Sequence, residues 1–378
     1  MKQFLHFYVF FFTLFFFLQI LNYNIFFSDP DVSWHLLFGK TLFENEKFLK
    51  TNIWSFNQSD ITWYNISWLW DYFGWIIYKY NPFTFVTLII IQNCITILIA
   101  ISITKKYSIF LPSTIIAYIF SILCFSIFVS ARPHSTGIFL AILFLYILLL
   151  AREKPKLYAF IPILLLIWIN THGSFLLGYI FLGVFFIEEI LTKSKNLKTI
   201  SLCFLLCIPL ILINPYGYHI ITATFLSING NMNQIINEWQ PLTIKDYPLF
   251  SIFTTLTTIG IITGIKKISV AYSLLTLGII FQTFQSIRYG MFLSVIALPY
   301  CVLGIDFLFS KFSKHPEKTR FYFQSILQNK IFNLFVFSSI LLASIYSYSN
   351  FDPKDFKPFS NEFPHKEAKC ILKEYSNL

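Results

Sequence analysis

The sequence predicts an all-α protein, a polytopic bundle of about eleven transmembrane helices with a large first outer loop. Of its 378 residues, 56% are hydrophobic and only 12% are charged, whereas about a quarter of a soluble domain is charged. Apolar runs of about 18 or more residues, the length a helix needs to cross a bilayer, recur along the chain. Lysine and arginine gather in alternate connecting segments, which is a signal of membrane topology.

The first apolar run is too long for a signal peptide and lacks a small-x-small cleavage site, so we interpret it as an uncleaved first span. The fifth and sixth runs are short, which predicts either a tilted or a partly re-entrant hairpin. By numbers, the predicted spans are 4–27, 83–104, 108–130, 135–151, 157–170, 174–191, 199–213, 248–265, 268–285, 289–310 and 331–349.

The basic residues orient these spans. With the N-terminus in the cytoplasm, every inside turn is basic, and these turns hold sixteen of the 28 lysines and arginines, as the positive-inside rule requires. The membrane domain is therefore predicted at 1–349, with outer loops at 28–82 and 214–247. An outer tail at 350–378 is expected to open a soluble domain. Because the net charge of +10 follows the topology, we expect no nucleic-acid partner.

The start of the first outer loop carries the strongest candidate site. Asp29 before Pro30 is typical of a helix N-cap, so a cap and a functional role are both open for Asp29. Asp31 follows the cap and shares a helix face with His35 and Gly39, at i, i+4 and i+8. This face presents a carboxylate, an imidazole and a gap that a ligand could approach. A surface ion pair favoured by the helix dipole is the simpler alternative.

Three more outer positions carry candidate ligand-binding residues. Arg132 and His134 end the third span, where Arg132 either extends to lipid headgroups or contacts a phosphate. His172 interrupts an apolar stretch, which favours a cavity wall. Arg288 follows a polar run at the outer end of the ninth span and is the best phosphate candidate.

Aromatic residues are abundant on the same predicted side. Glu238 precedes Trp239, a pair typical of an interfacial anchor, and the alternative is a second acidic group at the site. Trp34 belongs either to an interfacial aromatic belt or to a platform for sugar or prenyl chains.

The pattern SDPDVSWHLLFGK after the first span resembles the first-loop acidic motif of the GT-C superfamily of membrane glycosyltransferases. These enzymes use polyprenyl-phosphate sugars. The resemblance extends to a bacterial membrane-protein group with the same order of later motifs. In this chain those motifs lie at 29–39, 63–70, 132–134, 170–173, 214–217 and 238–239. One departure is the segment Asn65-Ile66-Ser67-Trp68, where similar proteins have Asn-His-Glu-Trp; Asp71 could substitute only if its helix turns it inward.

The resemblance implies a GT-C-like fold in the bacterial inner membrane and sugar transfer on the non-cytoplasmic face. The implied partners are a polyprenyl-phosphate-linked sugar, membrane lipid, and a glycan, lipid or protein acceptor. Asp31 would be the general base or a ligand of a divalent cation, Mg²⁺ or Mn²⁺, and His35 would orient it. Arg288, with Arg132 or His172, would hold the phosphate. A polysaccharide polymerase or ligase, and a transporter or flippase without chemistry, stay open as alternatives.

Overall fold

The computed structural model describes residues 29–48, 50–51, 53, 62–107, 111–127, 129–229 and 236–312, with isolated positions 15–16, 19 and 338. The predicted first span, last span and outer tail lie outside these residues, apart from the isolated positions. Regular structure in the described part is helical, and the pairing seen outside helices is a single bridge between Thr51 and Thr62.

The α-helices are α1 (Pro30–Asn45), α2 (Trp68–Tyr80), α3 (Pro82–Thr104), α4 (Leu111–Ser126), α5 (Pro133–Ala151), α6 (Phe160–Thr171), α7 (Phe175–Leu191), α8 (Leu197–Cys207), α9 (His219–Asn229), α10 (Pro248–Gly264), α11 (Val270–Gln285), α12 (Gly290–Ile296) and α13 (Leu298–Phe312). Short 3₁₀ turns occupy Pro155–Ala159, Ile208–Leu212, Asn237–Trp239 and Ile287–Tyr289. Helices α3 to α8 and α10 to α13 lie where the sequence predicts apolar runs, whereas α1, α2 and α9 lie in the two predicted outer loops.

Local sequence signals start several of these helices. The Asp29 carboxylate accepts a hydrogen bond from the Asp31 amide at 3.0 Å, and Pro30 is the first residue of α1. Asn81 caps α3 in the same way before Pro82. The cap satisfies an amide that has no partner within the helix, and proline needs none.

Two described helices, α3 and α5, are long and apolar enough to cross a membrane. The segments Ile287–Ile296 and Leu298–Phe312 would make a third if the pair, bent by 72°, is one span. Five shorter apolar helices accompany them. Length and composition are therefore consistent with membrane localisation.

The bend between α12 and α13 leaves backbone carbonyls without their helical partners. The Tyr272 hydroxyl on α11 donates to the Ile296 carbonyl at 2.6 Å, and the Ser121 hydroxyl on α4 donates to the Ser294 carbonyl at 2.7 Å. Neighbouring helices thus satisfy the polar backbone that a broken helix exposes.

Glycines allow α10 and α13 to pack closely. A Cβ added at Gly260 would overlap the Tyr300 carbonyl, and one at Gly304 would overlap the Leu256 carbonyl. Gly260 and Gly264 form a small-xxx-small pattern, which permits close helix approach in membrane proteins. This contact anchors the α12–α13 segment that follows Arg288.

Candidate functional site

A cavity of about 780 Å³ lies at the end of the bundle where α1, α5, α7 and α11 meet. Its walls divide into a polar head and an apolar groove. The polar head contains six of the residues that the sequence singled out: Asp31, His35, Arg132, His134, His172 and Arg288. Residues far apart in the chain therefore converge on one cavity.

Arg132 belongs to the polar head and is the centre of an ionic network with three acidic side chains. Its Nε lies 2.8 Å from Asp29, and its Nη1 lies 2.9 Å from Asp31. Burial would lower the pKa of Arg132, but the carboxylates of Glu238 and Asp29 outweigh it and raise that pKa above its ordinary value. Burial also raises the pKa of Asp29, against the opposing effect of Arg132.

Glu238 bridges the two arginines. One oxygen lies 2.9 Å from Nη2 of Arg132, and the other lies 3.1 Å from Nη1 of Arg288. The Arg288 guanidinium also lies over the Trp239 ring, 5.0 Å from its centre. The Ile287 amide donates to the Gln240 carbonyl at 2.8 Å. This bond fixes the 3₁₀ turn Asn237–Trp239 to the residues that precede α12.

The cavity wall presents two guanidinium groups to which an anion can bind. The charged residues among the described lining are Asp31, Arg132 and Arg288, and with Asp29 and Glu238 behind the wall the cluster holds three carboxylates and two guanidiniums. Asp29 and Glu238 neutralise the arginines from behind and do not line the cavity. An arginine fork fits phosphate or carboxylate geometry.

Two histidines stand beside the arginines, with ring centres 5.6 Å apart. The Ser174 amide donates to Nδ1 of His172 at 3.1 Å, which makes Nε2 the protonated nitrogen of the neutral ring. Burial, followed by the charge of Arg288, lowers the pKa of His172 to about 3. The buried Nε2 of His134 has no hydrogen-bond partner among the described residues, and a buried polar atom of this kind indicates a place for a ligand group.

His35 is held by Asp71 rather than by Asp31. Its Nδ1 lies 2.7 Å from Oδ1 of Asp71, and the side chain of Asp71 is 1% exposed. Asp31 lies instead on Arg132 with a 56% exposed side chain. The expectation that His35 orients Asp31 is therefore replaced by two separate pairs. Helix α2 does turn Asp71 inward, which is the condition under which it could substitute for the acidic residue that the segment Asn65-Ile66-Ser67-Trp68 lacks.

The gap that the sequence predicts at Gly39 is filled by protein. A Cβ at Gly39 would overlap the backbone carbonyl of Asp71. The glycine therefore lets α2 approach α1, and this approach brings the Asp71 carboxylate to His35. We correct the expectation of a ligand approach at Gly39: its space belongs to the helix contact.

The apolar groove runs between α7 and α11. Its walls are aliphatic and aromatic side chains together with one glycine: Leu176, Leu177, Ile180, Phe181, Val184, Leu274, Leu275, Gly278 and Ile279. A Cβ added at Gly278 would meet no atom within 4 Å, so the groove is open there. Ile180 and Leu274 are each about half exposed, which opens the groove onto the apolar outer surface of the bundle.

The remaining predicted residues have clear positions. Trp34 is 52% exposed and does not line the cavity. Glu238 acts as the bridge described above. Within the described ranges, no three His, Cys, Asp or Glu side chains are grouped to hold a metal ion; the acidic groups around Arg132 are directed at its guanidinium instead.

Sequence reasoning missed the asparagines that connect the motifs. The Asn170 side-chain oxygen accepts from Trp68 Nε1 at 2.8 Å and from Asn214 Nδ2 at 3.1 Å. Taken singly, the asparagines are typical of turns and the tryptophan of a membrane interface. Only their location on the same predicted side of the membrane could have indicated that they meet.

Compared with known proteins, the chain matches no family model, no curated protein and no solved structure. The fold and the geometry of the cavity therefore carry the functional argument.

Proposed function

We propose that this chain is a multi-pass inner-membrane protein of GT-C-like architecture, with about eleven spans. It transfers a sugar from a polyprenyl-phosphate donor to an acceptor on the non-cytoplasmic face. The observation that carries the proposal is the cavity, in which an arginine–histidine head continues into an apolar groove open to the side of the bundle. An amphipathic ligand with an anionic head and a prenyl tail matches both parts.

The ends of the helices support the proposed orientation. At the opposite ends of α5, α7 and α11, Arg152 pairs with Glu188 at 3.0 Å and with Glu189 at 3.1 Å, and Glu188 accepts from the Ala271 amide. This second ionic cluster lies at the predicted cytoplasmic ends of these helices, which supports a position of the cavity at their non-cytoplasmic ends.

The polar head supplies the groups that donor binding requires. Arg288 is the main phosphate ligand, since Arg132 already shares its guanidinium among Asp29, Asp31 and Glu238. His172, neutral with a protonated Nε2, and His134 can contact phosphate or sugar oxygens without adding charge. Sugar transfer itself rests on the likeness to GT-C enzymes.

Binding of farnesyl phosphate, a short prenyl phosphate, tests this proposal in purified protein reconstituted in nanodiscs. We expect Arg288→Gln to weaken binding by about tenfold or more, the scale of a lost charge-assisted contact. We expect Arg288→Lys to be intermediate because lysine cannot bind in a bidentate manner. Lys106→Gln, at the other end of the bundle, is the matched control and should bind as wild type does.

Two results would contradict the proposal. The phosphate would not be recognised if farnesol bound as tightly as farnesyl phosphate, or if Arg288→Gln bound normally. If the protein bound prenyl-phosphate sugars but returned them unchanged with every acceptor, the transporter or flippase alternative would replace the transferase.

A further inference from the structure

His35 and Asp71 form a hydrogen-bonded dyad at the cavity wall. Nδ1 of His35 faces the Asp71 carboxylate at 2.7 Å. If Asp71 is ionised, Nδ1 carries the proton and Nε2, on the other side of the ring, is the basic nitrogen. The His35 side chain is 25% exposed and lines the cavity. The ring is therefore held by one nitrogen and can reach a ligand with the other.

Several contacts fix the carboxylate behind this ring. Asn65 Nδ2 donates to Oδ2 of Asp71, while the Asn65 oxygen accepts from the Ser67 amide at 2.8 Å. The close approach of α1 and α2 at Gly39 places both members of the dyad on facing helices. Trp70 contacts the His35 ring edge-on, with centres 5.6 Å apart. The rotamer of His35 is thus restrained on two sides.

Asp31 has a different environment. Its Oδ2 lies 2.9 Å from Nη1 of Arg132, and the side chain is more than half exposed. The Asp31 carboxylate is therefore occupied by the guanidinium of Arg132. The His35 ring, held by Asp71 through Nδ1 only, lines the cavity and can present Nε2 to a hydroxyl group.

We propose that His35, positioned by Asp71, is the general base of the reaction, and that Asp31 holds Arg132 in place. This inference rests on the proposed glycosyl transfer. The acceptor oxygen forms a bond to C1 of the sugar as the bond from C1 to the phosphate oxygen breaks. The electron pair of that bond leaves with the lipid phosphate. The acceptor proton moves to Nε2 of His35, and Asp71 stabilises the imidazolium.

The surrounding charges define how this base responds to pH. Asp71 faces His35 from α2. Asp31, on the same helix as His35, lines the same cavity, and so do Arg132 and His172 on its other walls. Burial raises the pKa of Asp71, so this carboxyl becomes protonated at a higher pH than an exposed aspartate. Activity should therefore fall on the acidic side as Asp71 takes up a proton and Nδ1 of His35 loses its acceptor.

Transfer from a panel of farnesyl-phosphate monosaccharides, with released farnesyl phosphate as the readout, tests the assignment. We expect His35→Asn, which can keep a hydrogen bond to Asp71 but has no base, to lose about 100-fold or more. His35→Ala should lose as much and recover partly with added imidazole, in proportion to the neutral fraction of the imidazole. A residue with only a structural role would not give this recovery.

The same assay distinguishes the role of Asp31 from the role of Asp71. Asp31→Asn should lose less than about tenfold, whereas Asp71→Asn should lose more and shift the acidic limb of the pH–rate profile. The inference is overturned if Asp31→Asn is the inactive variant while His35→Asn keeps most activity, or if imidazole does not restore His35→Ala. A wild-type protein that releases farnesyl phosphate from no donor in the panel would overturn the proposed function as well.

Discussion

At the residue scale, the candidate site consists of polar side chains held by partners that sequence spacing cannot reveal. The cap at Asp29 and the shared face of Asp31 and His35 follow from helix geometry, and both are present. The pairing of His35 with Asp71 could not be predicted, because it depends on how closely α1 and α2 approach. Only the glycine at position 39 permits that approach.

His172 gives the site a pH-dependent stability. Burial lowers its pKa from 6.5 to about 3, so the unfolded chain takes up the proton first as the pH falls. The contribution of the neutral His172 ring to the free energy of unfolding is fully present above about pH 6.5 and is lost progressively towards pH 3. We expect the midpoint of SDS-induced unfolding in mixed micelles to fall between pH 7.5 and pH 5, and less so in His172→Gln.

An exposed histidine provides the control for that experiment. His219 stacks on Tyr64 away from the cavity, with ring centres 5.6 Å apart. His219→Gln should keep the pH dependence of the wild type. An unchanged dependence in His172→Gln would show that His172 is not held neutral by burial.

At the scale of elements, the apolar helices were predictable, but α9 in the second outer loop and the mutual arrangement of the helices were not. Apolar runs set the bounds of α3 and α5 within a few residues, and the Asp29-Pro30 pair set the start of α1. The 72° bend after Ile296 was not foreseen, because the apolar run continues through it. Its stability depends on Tyr272 and Ser121, which come from other helices.

The groove between α7 and α11 leads to a prediction with a matched pair of glycines. A Cβ at Gly278 or at Gly183 would meet no atom within 4 Å, but only Gly278 lines the cavity. Gly278→Leu should therefore fill the groove and weaken farnesyl phosphate binding by about tenfold, while Gly183→Leu should bind normally. Equal binding by both variants would exclude the groove as the tail site.

At the scale of the whole molecule, charge and geometry point to the same division of the bundle. The arginine–histidine head lies at one end of α5, α7 and α11, and the Arg152 cluster lies at the other. The sequence predicted this division from the basic turns, since lysine placement needs no knowledge of packing. The cavity itself could not be predicted, because it arises where helices distant in the chain meet.

The most direct test of the central claim is a cysteine-labelling experiment. It measures from which side of the membrane the cavity is accessible and whether a prenyl phosphate occupies it. Gln282 lines the cavity and is exposed, so Gln282→Cys gives a reporter at the head of the groove. The five described native cysteines are buried, and Cys370 is replaced by serine. A membrane-impermeant maleimide is applied to intact cells and to inverted vesicles, with and without farnesyl phosphate.

We expect Gln282→Cys to be labelled from the outer face, and we expect farnesyl phosphate, but not farnesol, to slow the labelling by about tenfold. Lys195→Cys, in a predicted cytoplasmic turn, should be labelled only in inverted vesicles and should not respond to the lipid. Labelling of Gln282→Cys only from the cytoplasmic side, or labelling indifferent to farnesyl phosphate, would contradict an outer-face site for a prenyl phosphate.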